Sequence, residues 1–254
     1  MQKRDHSPGQ GKLFVVGIGP GNPLDRTMRA EQAISSSQVV AGYDRYLEFI
    51  TDLLEGKEII SSGMTKERER CRKAIDAALE GKRVSLVSSG DAGIYGMAGL
   101  ALEMTGQMGV RLNLEIIPGV SAAQAGAAAL GAPLMLDFAC VSLSDLLVSW
   151  DEIEKRLWAL AEADMVTVLY NPKSRKRNWQ IDRVREIFLV ARDPLTPAGV
   201  IRNASLPDES VVLTDLENMH KAFMDMRTLV IIGNSRTTIN DPWMVTSRGY
   251  FEQR

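Results

Sequence analysis

The sequence predicts an α/β protein built of two α/β domains, the first with a parallel sheet, the second with a mixed sheet, and an active-site cleft between them. Three observations carry this prediction. Five strand–helix units come first, and helical crossovers between successive strands impose parallel order. The last strands lie too close together for a helix between each, so the second sheet is expected to mix directions. Several strands run straight into turns of glycine and small residues, where α/β sheets hold their ligands.

A chain of 254 residues suits one large domain or two modest ones. The division is expected at 12–132 and 133–254, after a polar lead-in at 1–11 that reads as disordered. The net charge of −2 argues against a nucleic-acid partner held by a broad basic surface. Cys71 and Cys140 form no CxxC pair, and His6 and His220 are the only histidines. A disulfide framework, a zinc finger, an iron–sulfur cluster and most metal-hydrolase schemes are thereby disfavoured, and no metal site is expected. No apolar run is long enough to span a bilayer, and the N-terminus lacks the apolar stretch of a signal peptide. A cytoplasmic location without a membrane partner is the expectation.

The first strand, 12–18, ends in GIGPGN at 17–22. This is near the dinucleotide fingerprint, but Asn22 stands in the third glycine place and Pro20 removes an amide. The turn reads chiefly as one that allows close approach of backbone or ligand. Pro23, Asp25 and Thr27 open a helix to about 36, with Asp25 or Thr27 as cap. A strand at 39–42 ends in GYDRY, where Asp44 is only loosely placed for the ribose acid of a dinucleotide domain. A helix to about 54, a strand at 58–61 and a long helix at 65–80 follow. The charge run at 66–72 on that helix reads as a solvated face.

The strand at 83–87 enters SSGDAGIYG at 88–96. Asp91 there is a single carboxylate among small residues at a strand end. It is suited to accept hydrogen bonds from a ligand, or else to cap the following helix. That helix ends near 106–109, and a strand at 112–117 leads through Pro118-Gly119 into a helix of small residues at 121–129. So little side-chain bulk admits either a ligand or a tightly packed neighbour.

A short apolar segment at 134–141, a helix at 150–163 and a strand at 165–170 open the second half. The strand ends in NPKSRKR at 171–177, a concentrated basic cluster. Cations are unfavourable at the start of the next helix, 179–190, which supports a role in holding carboxylates or phosphates. Strands at 198–201, 209–214 and 228–233 complete the pattern, the first ending in Arg202-Asn203-Ala204.

Three functions compete on these residues. A nucleotide-dependent oxidoreductase rests on the GxG turn. A serine hydrolase rests on GVSAA at 119–123, near the nucleophile elbow, with only His220 available as a later base. A group transferase, holding a small cofactor in a glycine-rich cleft against an anionic substrate, uses all the strand-end loops and the basic cluster.

The motifs GIGPGNPLDRT, GYDRY, LVSSGDAGIYGMA, EIIPGVSAAQAGAAALGAPL and VLYNPKSRKRNWQ occur in that order. Together they resemble the tetrapyrrole methylases, the class III S-adenosylmethionine-dependent methyltransferases, over about 12–250. The combination of DFACVSLSDLLVSW, YNPKSRKRNWQ, VARDPLTPAGVIRNA and LVIIGNSRT further resembles those members that methylate carbon 17 of a corrin precursor and contract its ring. Siblings acting at other ring carbons share the cofactor motifs.

The resemblance implies S-adenosylmethionine as methyl donor, S-adenosylhomocysteine as product, a tetrapyrrole substrate with or without cobalt, and a homodimer. It implies cofactor contacts at Pro20, Ser89, Gly90, Asp91, Ile94, Ser121, Ala122, Asn171 and Asn203, with Asn171 standing where many relatives carry methionine. It places Gly19 and Gly21 in a substrate trough, and Arg45, Lys173, Arg175, Arg177 and Arg202 against substrate carboxylates. Methyl transfer to an enamine-like carbon needs alignment and exclusion of water more than a strong base. Ring contraction needs proton transfer, for which Asp91, Tyr43 and Lys173 are candidates.

Overall fold

The computed structural model describes residues 11–174 and 177–251. Residues 1–10 of the expected lead-in and Arg175 lie outside these, while Gly11 is buried. The chain divides into two compact units, the first ending at Ala122 and the second beginning at Ala123.

The first unit runs β1 (Lys12–Gly17), α1 (Met28–Ser35), β2 (Val39–Tyr43), α2 (Asp44–Leu47), β3 (Glu58–Ser62), α3 (Glu67–Leu79), β4 (Arg83–Ser88), α4 (Ala98–Gln107) and β5 (Asn113–Ile117). All pairings are parallel, in the order β3-β2-β4-β1-β5. Helices cover both faces, so β1 is buried on both sides: Leu13 and Val15 pack with Ile75 and Leu86, Phe14 and Val16 with Ile34 and Ile50. The order sets the loops after β4, β1 and β5 side by side at the C-terminal edge. Thr27 is the cap of α1, its Oγ1 accepting from the Ala30 amide at 3.1 Å. The charge run on α3 is exposed except at Arg70, which is 3% exposed. Arg70 shares a helix face with buried Ala74 and Ala77, so helical period, not charge, decides its side.

The helix α5 (Ala122–Leu130) begins at the junction. The second unit continues with β6 (Gly131–Ala132), β7 (Phe138–Ser142), α6 (Trp150–Glu162), β8 (Val166–Tyr170), α7 (Gln180–Ala191), β9 (Pro197–Arg202), β10 (Ser210–Asp215), β11 (Thr228–Ile232), β12 (Thr237–Asn240) and β13 (Trp243–Thr246). Its main sheet, β10-β9-β11-β8-β7, is mixed: β7 and β8 are parallel, the other pairs antiparallel. Phe188, Leu157, Val200 and Val230 fill its core.

A second, three-stranded sheet, β12-β13-β6, is not foreseen in the sequence. β6 is two residues long and β12 is mostly polar, so neither has an apolar period to read. The sequence-based division at 132/133 falls one helix later than the structural one. Most of α5 sits with the second unit because a Cβ on Gly126 would meet Leu229 at 2.8 Å and Ile201 at 3.6 Å. On that face, the small residues of α5 serve close packing.

Candidate active site

In the first unit, three strand-end loops are sewn together through their backbones. The Ile18 amide donates to the Ser88 carbonyl at 2.9 Å, and Gly19 and Gly90 exchange amide–carbonyl bonds of 3.1 and 2.7 Å. A Cβ on Gly17 would lie 2.6 Å from the Gly90 carbonyl oxygen and 2.8 Å from the Gly119 nitrogen. One on Gly119 would fall on the same Gly90 oxygen. Glycine is required at both places because backbone fills the space.

Gly19 has φ +79°, and the Asp25 carbonyl oxygen lies 2.8 Å from where its Cβ would be. Its amide is also taken by Gly90. The GxG turn is therefore closed by protein, which removes the phosphate loop an oxidoreductase would use. Pro20 and Gly21 are buried in the same turn. Arg26 braces it with a bidentate pair to Asp52 at 2.9 and 2.6 Å.

Asp91 lies at the centre of this arrangement. Its Oδ1 accepts from the amides of Gly93 at 2.7 Å and Ile94 at 3.1 Å, and its Oδ2 from the Gly119 amide at 3.0 Å. A carboxylate offers about four lone-pair sites, so three amides leave about one for a ligand. Gly90, with φ +66°, faces Ser121 and Ala122 at ordinary contact distance. Ser89 is half-buried, Ser121 is buried, and the Ile94 side chain stands 42% exposed.

At the end of β2, Tyr43 packs edge-on against Tyr46 with ring centroids 5.1 Å apart. Burial pushes the Tyr46 phenol up. Arg45 is exposed.

In the second unit, the Tyr170 hydroxyl accepts from the Ala123 amide at 3.0 Å and so caps the start of α5. Asn171 has φ +54°, a conformation asparagine tolerates, and its Nδ2 donates to Ser142 Oγ at 3.0 Å. Lys173 is half-buried. Arg177 is expected from the resemblance to meet substrate, but it is 5% exposed and its guanidinium is engaged inside the loop. Nε donates to the Asn171 carbonyl at 3.1 Å, Nη2 approaches Met226 Sδ at 3.9 Å and Nη1 lies 4.0 Å from Asp145. Burial lowers its proton affinity, against the pull of Asp145.

Arg202, the last residue of β9, lies 3.9 Å from Asp225 and over the ring of Phe223. Asn203 has φ +53° and is buried; Nδ2 donates to Asp208 at 2.6 Å, while Oδ1 is buried without a partner. The His220 Nδ1 is likewise buried and unpartnered, so no carboxylate orients it as a triad base.

Sequence reasoning passed over Tyr170, Arg26 and Arg70. Only Arg70 left a readable signal, through its helical spacing. Among the described residues, no group of three His, Cys, Asp or Glu is placed to hold a metal, and no helix is long and apolar enough to cross a membrane.

A parallel α/β unit with three glycine-closed loops at its ligand edge, followed along the chain by a mixed α/β unit, is an architecture suited to binding a small ligand at strand ends. The chain belongs to the tetrapyrrole (corrin/porphyrin) methylases, whose family model matches residues 12–220. It is 46% identical to the cobalt-factor III methyltransferase of Priestia megaterium over 95% of this chain and 45% of that protein. It is 44% identical to the probable cobalt-factor III C(17)-methyltransferase of Salmonella typhimurium over 94% of this chain and 99% of that one. Thus it spans about half the length of the first relative and nearly all of the second. The crystal structure of the methyltransferase CobJ superposes with a TM-score of 0.86 at 34% identity, over 93% of this chain and 100% of that one. A uroporphyrin-III C-methyl transferase from Thermus thermophilus, complexed with S-adenyl homocysteine, shares the fold at a TM-score of 0.69 and 24% identity, over 88% and 97% of the two chains.

Proposed function

We propose that this protein transfers a methyl group from S-adenosylmethionine to carbon 17 of a tetrapyrrole and contracts the ring, as a step of cobalamin biosynthesis. The substrate is cobalt-factor III or the metal-free oxidised form, precorrin-3B. The observation that carries this reading is the match to the Salmonella protein, which runs through both units and nearly the whole of each chain.

The cofactor supplies an activated methyl on a sulfonium and leaves as S-adenosylhomocysteine. The residues present fit it. Asn203 Oδ1, a buried acceptor without a partner, suits an amine donor of the cofactor. Ile94 offers an open apolar side chain to the adenosine. We assign Pro20, Ser89, Gly90, Ser121, Ala122 and Asn171 as further contacts. Asp91 serves as the carboxylate that keeps their loops in shape.

Lys173, Arg45 and Arg202 are the cations proposed to meet substrate carboxylates, with Arg175 two positions after Lys173 in the sequence. No close ion pair engages Lys173 or Arg45 among the described residues, and the Arg202 pair is long at 3.9 Å. Tyr43 and Lys173 are proposed to move the proton of ring contraction. A homodimer in the cytoplasm completes the reading.

The test is an anaerobic incubation with isotope-labelled S-adenosylmethionine and either cobalt-factor III or precorrin-3B, read by mass and NMR. Label at carbon 17 is the expected result, and the form that turns over identifies the substrate. Cofactor binding without label in either product would overturn the carbon-17 assignment in favour of a sibling methylase.

A further inference from the structure

We propose that Arg70 receives a substrate carboxylate at the ligand edge of the first unit's sheet. It is 3% exposed. Nη1 donates to Ser62 Oγ at 2.7 Å, Nη2 approaches Met97 Sδ at 3.9 Å, and Nε is buried with no partner. Of a guanidinium's five N–H donors, two are used here and three are not. No carboxylate pairs with Arg70 among the described residues. Arg192 is also buried with its Nε unpartnered, but it is better supplied: its Nη1 and Nη2 reach the carbonyls of Gly233, Leu160 and Met165, and Asp164 lies 3.8 Å from its Nε.

An uncompensated buried charge is strongly unfavourable. Arg70 also sits near the start of α3, where the helix dipole disfavours a cation; the exposed Glu67 and Glu69 of the first turn suit the dipole but neither pairs with the buried guanidinium. An incoming anion answers the buried charge, since it pairs with the guanidinium and its unpartnered Nε. The surroundings lie on the binding side of the sheet. Ser62 ends β3, Tyr46 follows the end of β2, and Met97 closes the loop after β4 and is tied to Ser88 Oγ through its amide at 3.0 Å.

The identity of the carboxylate rests on the tetrapyrrole reading, but the anion site does not. The full chain, Arg70→Gln and Arg70→Lys would be compared in two assays. In thermal unfolding, glutarate against chloride at equal ionic strength should raise the wild-type Tm by about 2 °C or more and leave Arg70→Gln unmoved. In titrations, Arg70→Gln should bind the tetrapyrrole roughly tenfold or more weakly, hold S-adenosylhomocysteine within about twofold, and be partly rescued in Arg70→Lys. An equal glutarate response in wild type and Arg70→Gln would overturn the proposal. So would a matched loss of both ligands, which would make Arg70 only a brace of the Met97 loop. If Arg70→Gln does not fold, Arg70→Met takes its place in the same comparisons. A wild type that methylates no tetrapyrrole, yet shows a glutarate response lost in Arg70→Gln, would keep the anion site and remove the carbon-17 reading.

Discussion

Asp91 Oδ2 accepts from the Gly119 amide at 3.0 Å, so one carboxylate joins the loop after β4 to the loop after β5. With Oδ1 holding Gly93 and Ile94, the side chain satisfies three amides at the ligand edge. Asp91→Ala leaves all three without that acceptor and should destabilise the protein by about 1 to 3 kcal/mol. It should also weaken S-adenosylhomocysteine binding roughly fivefold or more, because the loops that are proposed to carry the cofactor lose their tie. Urea unfolding and calorimetry read the two effects separately. A lower stability with unchanged cofactor affinity would confine Asp91 to the scaffold.

Two glycines to alanine should separate sharply. At Gly119 the added Cβ meets backbone alone, with the Gly17 carbonyl carbon and oxygen each 2.7 Å away, so neighbouring strand ends must move. Gly119→Ala should cost about 3 kcal/mol or more. At Gly126 the nearest obstacle is the end of the Leu229 side chain, which can turn away. The helix gain of alanine offsets part of that adjustment, and Gly126→Ala should stay within about 1 kcal/mol of wild type. Similar losses for both would refute the account of the closed loops.

The alternation of apolar strands and helices made the first sheet readable, because each buried parallel strand is a continuous apolar run between turn residues. The mixed second sheet followed from strand spacing. The packing of the loops could not be read. A glycine filled by backbone and a glycine left open for a ligand are the same letter, and only the Cβ positions of Gly17 and Gly119 distinguish them. Charge did not decide exposure. Arg70 stood in a run of charges and is buried, and Arg177 stood in a basic cluster and is folded into its own loop. Asp91 was legible as a strand-end carboxylate, with Gly93 and Ile94 as local partners, but its third amide partner, Gly119, lies in a loop distant in sequence.

Arg177 and Lys173, four residues apart, should fail in different ways. Arg177 orders its loop through the Asn171 carbonyl, and the Ser174 amide donates to the Arg177 carbonyl at 2.7 Å. Arg177→Ala removes a buried group and should lower stability by about 1 to 3 kcal/mol. Lys173→Ala removes a half-buried ammonium and should leave stability within about 0.5 kcal/mol while raising the KM for the tetrapyrrole. Urea unfolding with steady-state kinetics checks the pair. A stability loss in Lys173→Ala without a KM effect would move the substrate cation elsewhere.

Cys71 gives a test by pH. Its thiol is fully buried beside Leu13, Val39 and Ile75, and burial pushes it from 9.0 up to about 11. Below the unfolded value both states keep the proton and the thiol adds no pH dependence. As pH rises from about 9 towards 11, the unfolded chain ionises first, so folding stability falls. The loss from this group should reach about 2 kcal/mol by roughly pH 10.5. Cys71→Ala starts lower in stability for want of packing, but lacks this slope. Tyr46, also pushed up by burial, acts in the same direction in both proteins and cancels in the comparison. Urea unfolding of wild type and Cys71→Ala at about pH 8 and pH 10.5 should therefore show the two stabilities converging as pH rises. Parallel decline would mean that water reaches the thiol and that the core around α3 is looser than its packing indicates.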